Sequence, residues 1–150
     1  MEKHWLKNYP DGVAREIDPE PFGSLNQLIE DSFKKNADKP FSVCMDRWMT
    51  YAQLDSLSSA LGAWLQSLGL EPSARVAIML PNVPQFAVSM VAVLRAGYTC
   101  VNVNPLYTPR ELAHQLKDSG ATTLIILENF AATLAQVIDH PGSTVERVSY

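Results

Sequence analysis

Residues 75–103 read RVAIMLPNVPQFAVSMVAVLRAGYTCVNV. The run from Arg75 to Leu80 is short and continuously apolar after its first residue, as in a strand buried on both faces. Asn82, Val83 and Pro84 then open a helix, with proline where its missing N–H costs nothing. This helix is apolar on most sides, and Gly97 stops it before a second strand over 99–103. Strand, helix and strand in that order, with a connection of crossover length, predict a parallel pair joined by a right-handed helical crossover.

The same alternation continues on both sides. Thr108, Pro109, Arg110 and Glu111 form a capping box with proline at the first helical position, so a helix is expected from there to Gly120. A buried strand is predicted over 122–127, a helix through Ala131, Leu134, Ala135 and Ile138, and a last strand over 145–150. Upstream, Thr50 and Gln53 form another capping box. Leu54, Leu57, Leu61, Trp64, Leu65 and Leu68 follow at helical spacing until Gly69, placed for a left-handed cap. Two short strands over 41–45 and 47–51 form a predicted hairpin turning near Asp46. Ser24 and Gln27 open a first helix whose face is Leu25, Leu28, Ile29 and Phe33, ended by Asn36 and Pro40. The fold class is therefore α/β: a doubly wound, mostly parallel sheet with helices on both faces, a short hairpin, and an N-terminal arm. The arm is assigned to residues 1–23, rich in proline and charge, and the α/β subdomain to 24–150. The last strand runs to the final residue with no closing loop, so a piece of a longer protein is expected.

Bulk properties set limits on function. A chain of 150 residues that is 47% hydrophobic suits one domain with a substantial core. Twelve basic against sixteen acidic residues give a net charge of −4, and no Lys/Arg stripe is present to track a phosphate backbone, so nucleic acid is not expected as a partner. The two cysteines, Cys44 and Cys100, lie far apart in apolar runs and are read as buried small hydrophobes rather than a disulfide or metal knuckle. The opening MEKHWLKNYPDG has no apolar signal core, and no apolar stretch is long enough to cross a bilayer, so a cytoplasmic protein is expected.

In open α/β sheets ligands bind beyond the carboxyl ends of the strands. The loops there carry no G-x-G-x-x-G and no G-x-x-x-x-G-K-[ST] pattern, so neither a dinucleotide fingerprint nor a Walker loop is read. The strand ends lead into Pro81 and Asn82, and into Asn104 and Pro105, instead of an acidic Mg²⁺ pocket. His4, His114 and His140 are dispersed, and none has a companion at ligand spacing. Ser24 and Thr50 are read as caps and not nucleophiles, and Glu30 with Asp31 as a solvated helix face. No catalytic, cofactor-binding or metal residue is assigned. For 102–108, including Asn102, Asn104 and Thr108, the preferred reading is a strand end and helix cap, with ligand contact the alternative. Arg95 and Gly97 are read as a helix terminus. Trp5, Leu6 and Tyr9 are read as packing the arm across the domain, the alternative being an anchor at a membrane surface.

The stretch LRAGYTCVNVNPLYTPRELAHQLKDSGAT, residues 94–122, closely resembles the second core motif of the adenylate-forming acyl-CoA synthetases, in the wording of the bacterial long-chain branch. MTYAQLDSLSSALGAWLQSLGL, residues 49–70, resembles the first core motif, and RVAIMLPNVPQFAVSMVAVLRAG resembles the strand and helix between the two. WLKNYP and the later EIDPEPFGSL are similar to the start of bacterial long-chain fatty acid–CoA ligases. The resemblance spans nearly the whole chain in the expected order.

This resemblance implies a parent enzyme in which a fatty acid carboxylate attacks the α-phosphate of ATP with Mg²⁺, giving acyl-adenylate and pyrophosphate, after which the CoA thiol displaces AMP. It also implies that the catalytic parts lie beyond residue 150: a Thr/Ser/Gly-rich loop ending in Pro-Lys-Gly, a Tyr-Gly-x-Thr-Glu segment, a later Asp and Arg, and a lysine of a mobile C-terminal domain. ATP, Mg²⁺ and CoA are thus expected of the full-length enzyme and none of them on this fragment, which is expected to be inactive. Fatty acid is the implied substrate; a homodimer and peripheral contact with the inner membrane remain open. The alternative is a non-catalytic, stand-alone binding or docking module on the same scaffold. A nucleotide-binding oxidoreductase domain is a third reading, suggested by fold class alone and opposed by the absent glycine fingerprint.

Overall fold

The computed structural model describes residues 3–17, 22–138 and 143–149. The hairpin comes first, with β1 (Pro40–Cys44) antiparallel to β2 (Arg47–Thr50) in a sheet of its own. Cys44 pairs with Arg47, leaving Met45 and Asp46 as a two-residue turn, both with positive φ (48° and 60°). This is the primed turn whose twist suits a hairpin, built here without the usual glycine or asparagine.

The main sheet has β3 (Arg75–Met79), β4 (Thr99–Asn102), β5 (Thr123–Ile126) and β6 (Arg147–Ser149), all parallel, in the order β4-β3-β5-β6. The chain leaves β3 towards β4 and then crosses to β5 on the other side, so the direction of winding switches between β3 and β5. Side chains alternate across β3. Val76, Ile78 and Leu80 join Leu65, Ala92 and Val93 on one face, while Ala77 and Met79 join Leu112, Leu116, Leu124, Ile126, Leu134 and Val137 on the other. Helices α2 (Tyr51–Ser67) and α3 (Pro84–Arg95) thus cover one face, and α4 (Pro109–Ser119) and α5 (Ala131–Ile138) cover the other. The predicted doubly wound α/β class is what the chain adopts.

Local chemistry explains the helix ends. The Thr50/Gln53 and Thr108/Glu111 capping boxes are both complete, and Gly69 and Gly120 take the left-handed conformation that closes α2 and α4 (φ 64° in each). Helix α1 (Leu25–Asn36) departs from expectation. The Ser24 hydroxyl accepts the Gln27 N–H, but the Gln27 side chain accepts from Gly23 N–H and not from Ser24. Of the predicted α1 face only Phe33 is buried, and Leu25 and Leu28 are exposed. On α2, Leu57 and Trp64 are likewise exposed, although their spacing matches that of buried Leu54 and Leu65. Strands end a residue or two short of the predicted bounds, and a 3-10 turn (Glu128–Phe130) precedes α5. Tyr150, the predicted end of the last strand, lies outside the described residues.

Candidate functional site

The carboxyl rim of the sheet is formed by the loops after β3, β4 and β5. After β4, the Asn104 side chain turns back on its own backbone: Oδ1 accepts the Leu106 N–H at 3.0 Å, and the Asn104 carbonyl accepts the Tyr107 N–H at 3.1 Å. Thr108 then caps α4. Its N–H and hydroxyl both donate to Glu111 Oε2, at 2.8 and 2.7 Å. Those bonds, the backbone one first and the hydroxyl one second, hold the Glu111 carboxyl below its ordinary value. Asn104 and Thr108 are therefore engaged in shaping the loop and starting the helix, while exposed Asn102 accepts from the Cys100 thiol at 3.4 Å. Leu106 is left standing in solvent. Beside this loop Tyr107, Thr108, Arg110, Glu111, His114 and Gln115 line an open groove of 700 Å³, which makes His114 an exposed groove residue of α4.

Arg95 does more than end a helix. Its Nε donates to Glu30 Oε1 at 2.8 Å, Nη2 to Asp55 Oδ1 at 2.6 Å, and Nη1 to the Asp55 carbonyl and the Ser58 and Ser59 hydroxyls at 2.8–2.9 Å. The guanidinium also lies 4.8 Å from the Phe33 ring centroid, a cation–π arrangement. Burial alone would lower its pKa, but hydrogen bonds and charge from Asp55 and Glu30 outweigh this and raise it. Arg95 thereby ties α1, α2 and α3 together. Glu30 is accordingly not part of a merely solvated face, whereas Asp31 sits 3.9 Å from Lys34 on the outside of α1. The signal was present in the sequence: Arg95 is the one charge on α3 and Asp55 the one charge on α2, and lone charges on otherwise neutral amphipathic helices call for partners. Gly97 has φ 84°, as its turn role requires.

The remaining candidates do not converge. Cys44 and Cys100 are partly rather than fully buried and lie in different sheets. Burial raises the Cys100 thiol pKa, which disfavours the nucleophilic thiolate. Trp5, Leu6 and Tyr9 fall in or beside a 3-10 turn (His4–Asn8) with no buried residue. None of the described arm residues is buried, so the close packing expected of Trp5, Leu6 and Tyr9 is not seen among them. Lys3 pairs with Glu16 of the arm itself. His4 belongs to that turn, and His140 lies outside the described residues. Among the described residues no three of His, Cys, Asp and Glu gather as a metal site. The described rim loops hold no glycine-rich cradle, and among their amide side chains Asn104 is bonded to its own loop backbone. The described rim loops by themselves thus form no phosphate cradle. No helix of the described residues is long and apolar enough to cross a membrane.

Known proteins supply what this geometry does not. A long-chain-fatty-acid–CoA ligase of Yersinia pestis is 50% identical over 139 residues, covering 92% of this chain and 25% of the relative. The ligase of the same description from Escherichia coli is 49% identical over 140 residues, covering 93% and 25%. Among solved structures, a long-chain-fatty-acid–CoA ligase from Archaeoglobus fulgidus superposes with a TM-score of 0.74 at 26% identity, over 83% of this chain and 26% of that one. The Mycobacterium tuberculosis fatty acyl CoA synthetase shares the fold, with a TM-score of 0.75 at 24% identity over 82% of this chain and 25% of that one. The chain spans about a quarter of the length of the curated relatives it matches. The family described as AMP-binding enzyme matches residues 29–149, nearly all of the α/β fold just described, and the chain belongs to that family.

Proposed function

We propose that this chain is the N-terminal α/β portion of a long-chain fatty acid–CoA ligase, whose full-length form activates a fatty acid with ATP to the acyl-adenylate and transfers the acyl group to CoA. The observation that carries the reading is the 50% identity to the Yersinia pestis ligase along 92% of this chain. Within that enzyme this portion is scaffold: 24–150 form the subdomain that presents the carboxyl rim to the rest of the protein, and 1–23 form an arm. The Asn104 turn and the Thr108 cap set the rim's shape, and no catalytic, nucleotide-binding or metal residue is assigned here. Magnesium is part of the proposal through the chemistry of adenylation, in which a cation offsets charge on the phosphates. The proposed location is the cytoplasm. Contact of the arm with the inner membrane surface is a secondary element, supported by the exposure of Trp5 and Tyr9.

The test is fatty-acid-dependent AMP release with ATP, Mg²⁺, CoA and a series of medium- to long-chain acids. It is run on this chain and, in parallel, on the full product of its native gene. Activity confined to a longer gene product is the expected result, and the acid series then gives the chain-length class. A native gene product that ends near Tyr150 and releases no AMP would favour the stand-alone docking module. Turnover by the 150-residue chain would overturn the assignment of the reacting groups to other parts of the parent.

A further inference from the structure

The outer side of α4 gathers side-chain donors that nothing in the fold uses. Arg110 and His114, four residues apart, stand on one exposed face of the helix, and both line the 700 Å³ groove together with Tyr107 and Gln115. Among the described residues neither Arg110 nor His114 has a hydrogen-bond or ion-pair partner, and the Tyr107 hydroxyl and the Gln115 amide are likewise uncommitted. Glu111, the one acid of the lining, is held to the cap, where Thr108 gives both its N–H and its hydroxyl to Oε2. The main-chain end of α4 is closed as well, because the Glu111 N–H goes to the Thr108 hydroxyl and the Leu112 N–H to the Thr108 carbonyl. The free donors are therefore side chains and not the helix terminus. No lining residue comes from the loops after β3 or β5, so the groove is separate from the crevice where the winding of the sheet reverses.

The geometry points to a binding site on α4 for an organic phosphate monoester. Such a group carries about two negative charges near neutral pH and presents three terminal oxygens. The groove meets them with the planar fork of Arg110, a ring N–H of His114, and the Tyr107 hydroxyl or Gln115 amide. Two parallel guanidinium N–H groups match two phosphate oxygens, and an imidazole carries an N–H donor in either protonation state. A carboxylate, with two oxygens and one charge, leaves part of this set unused. The space exceeds what phosphate alone needs: 700 Å³ falls within the range of about 300–1,000 Å³ typical of small-molecule sites. The Tyr107 ring, packed in part against the core, gives the organic portion a flat wall. In a chain of net charge −4, an arginine without a counter-charge is a local positive site that an anion can find. Because Arg110 and His114 are exposed, each contact competes with water, and the affinity is modest, in the millimolar range.

Phenyl phosphate is the probe, titrated into the chain at about 0.15 M salt, where diffuse attraction between exposed charges is screened. Backbone amide NMR shifts follow the binding. The expected result is a saturable shift confined to residues 107–115, with inorganic phosphate bound several-fold more weakly and benzoate more weakly still. Arg110→Gln and His114→Gln should each weaken phenyl phosphate by about tenfold, the scale of one charge-assisted hydrogen bond. Lys117→Gln, on the same helix but outside the groove lining, removes a positive charge, as Arg110→Gln does, and should leave binding unchanged. Circular dichroism confirms that α4 is intact in each variant. Absence of saturable binding overturns the inference. So does a Lys117→Gln loss equal to that of Arg110→Gln, which would reveal diffuse charge, or benzoate bound as tightly as phenyl phosphate, which would make the groove a carboxylate site. Inorganic phosphate bound as tightly as the ester also overturns it, since the groove would then hold an adventitious ion only.

Discussion

Arg95 shows how much one residue can organise when it is the sole charge on its helix. Its guanidinium reaches two carboxylates, two hydroxyls and one carbonyl on α1 and α2, and its side chain is only 13% exposed. Glu30 and Asp55 are each more than 40% exposed, so both can return to water once the arginine is gone. Replacement therefore costs less than stranding a buried charge would. Arg95→Met is expected to lower unfolding stability by about 2–3 kcal/mol, the scale of lost charged hydrogen bonds. Arg95→Lys should recover less than half, because an ammonium cannot reproduce the planar fork that serves several acceptors at once. Urea unfolding measures both. Full recovery by lysine would show that charge alone, without geometry, holds the three helices.

Among the elements, α4 carries a cap whose contribution varies with pH. The Glu111 carboxylate closes the capping box, and its pKa is lowered in the folded state from an ordinary 4.5. A depressed carboxylate pKa means that the folded chain binds the proton less tightly than the unfolded one. The contribution is therefore complete above the ordinary carboxylate value and disappears as pH falls through the depressed one. Thermal unfolding followed from neutral to acid pH should show this dependence weakened in Glu111→Gln, which keeps a capping side chain without a titrating group. An unchanged acid limb in that variant would show that other carboxylates dominate it. Caps of this kind were largely legible in the sequence because they depend mainly on residues three apart: Thr50/Gln53 and Thr108/Glu111 both form as read, whereas Ser24/Gln27 forms only its hydroxyl half because the Gln27 side chain takes the Gly23 N–H instead. Which apolar residues would be covered was less legible. Leu57 and Leu54 share one periodicity, yet only Leu54 is buried, in a cluster with Phe33 of α1 and Val91 of α3. Periodicity names a face, whereas coverage depends on elements that a local pattern does not contain. The rim was legible as shape, through the Asn104 turn and the Thr108 cap. It was not legible as chemistry, because those side chains are committed to the backbone.

At the scale of the whole molecule, two apolar cores lie on opposite faces of one sheet and share β3, whose residues Val76 to Met79 are fully buried. If β3 couples them, loss of either core unfolds both, and the molecule behaves as one cooperative unit. The positions of the tryptophans make this testable. Trp5, Trp48 and Trp64 lie on the arm, β2 and α2, and none lies on α4 or α5, so intrinsic fluorescence reports only one side. Leu116, on the other side, is almost fully buried against Ala77, Met79 and Leu124. Leu116→Ala should cost about 2–5 kcal/mol through lost burial and the cavity left behind. The decisive readout is coincidence. In urea, the fluorescence transition of the variant should shift as far as its circular dichroism transition, although no tryptophan touches the altered site. A fluorescence transition left in place while the dichroism splits would mean that the α2/α3 layer with its hairpin melts independently of α4 and α5. The fold would then be two stacked layers with separate stabilities, joined by a strand that couples neither to the other.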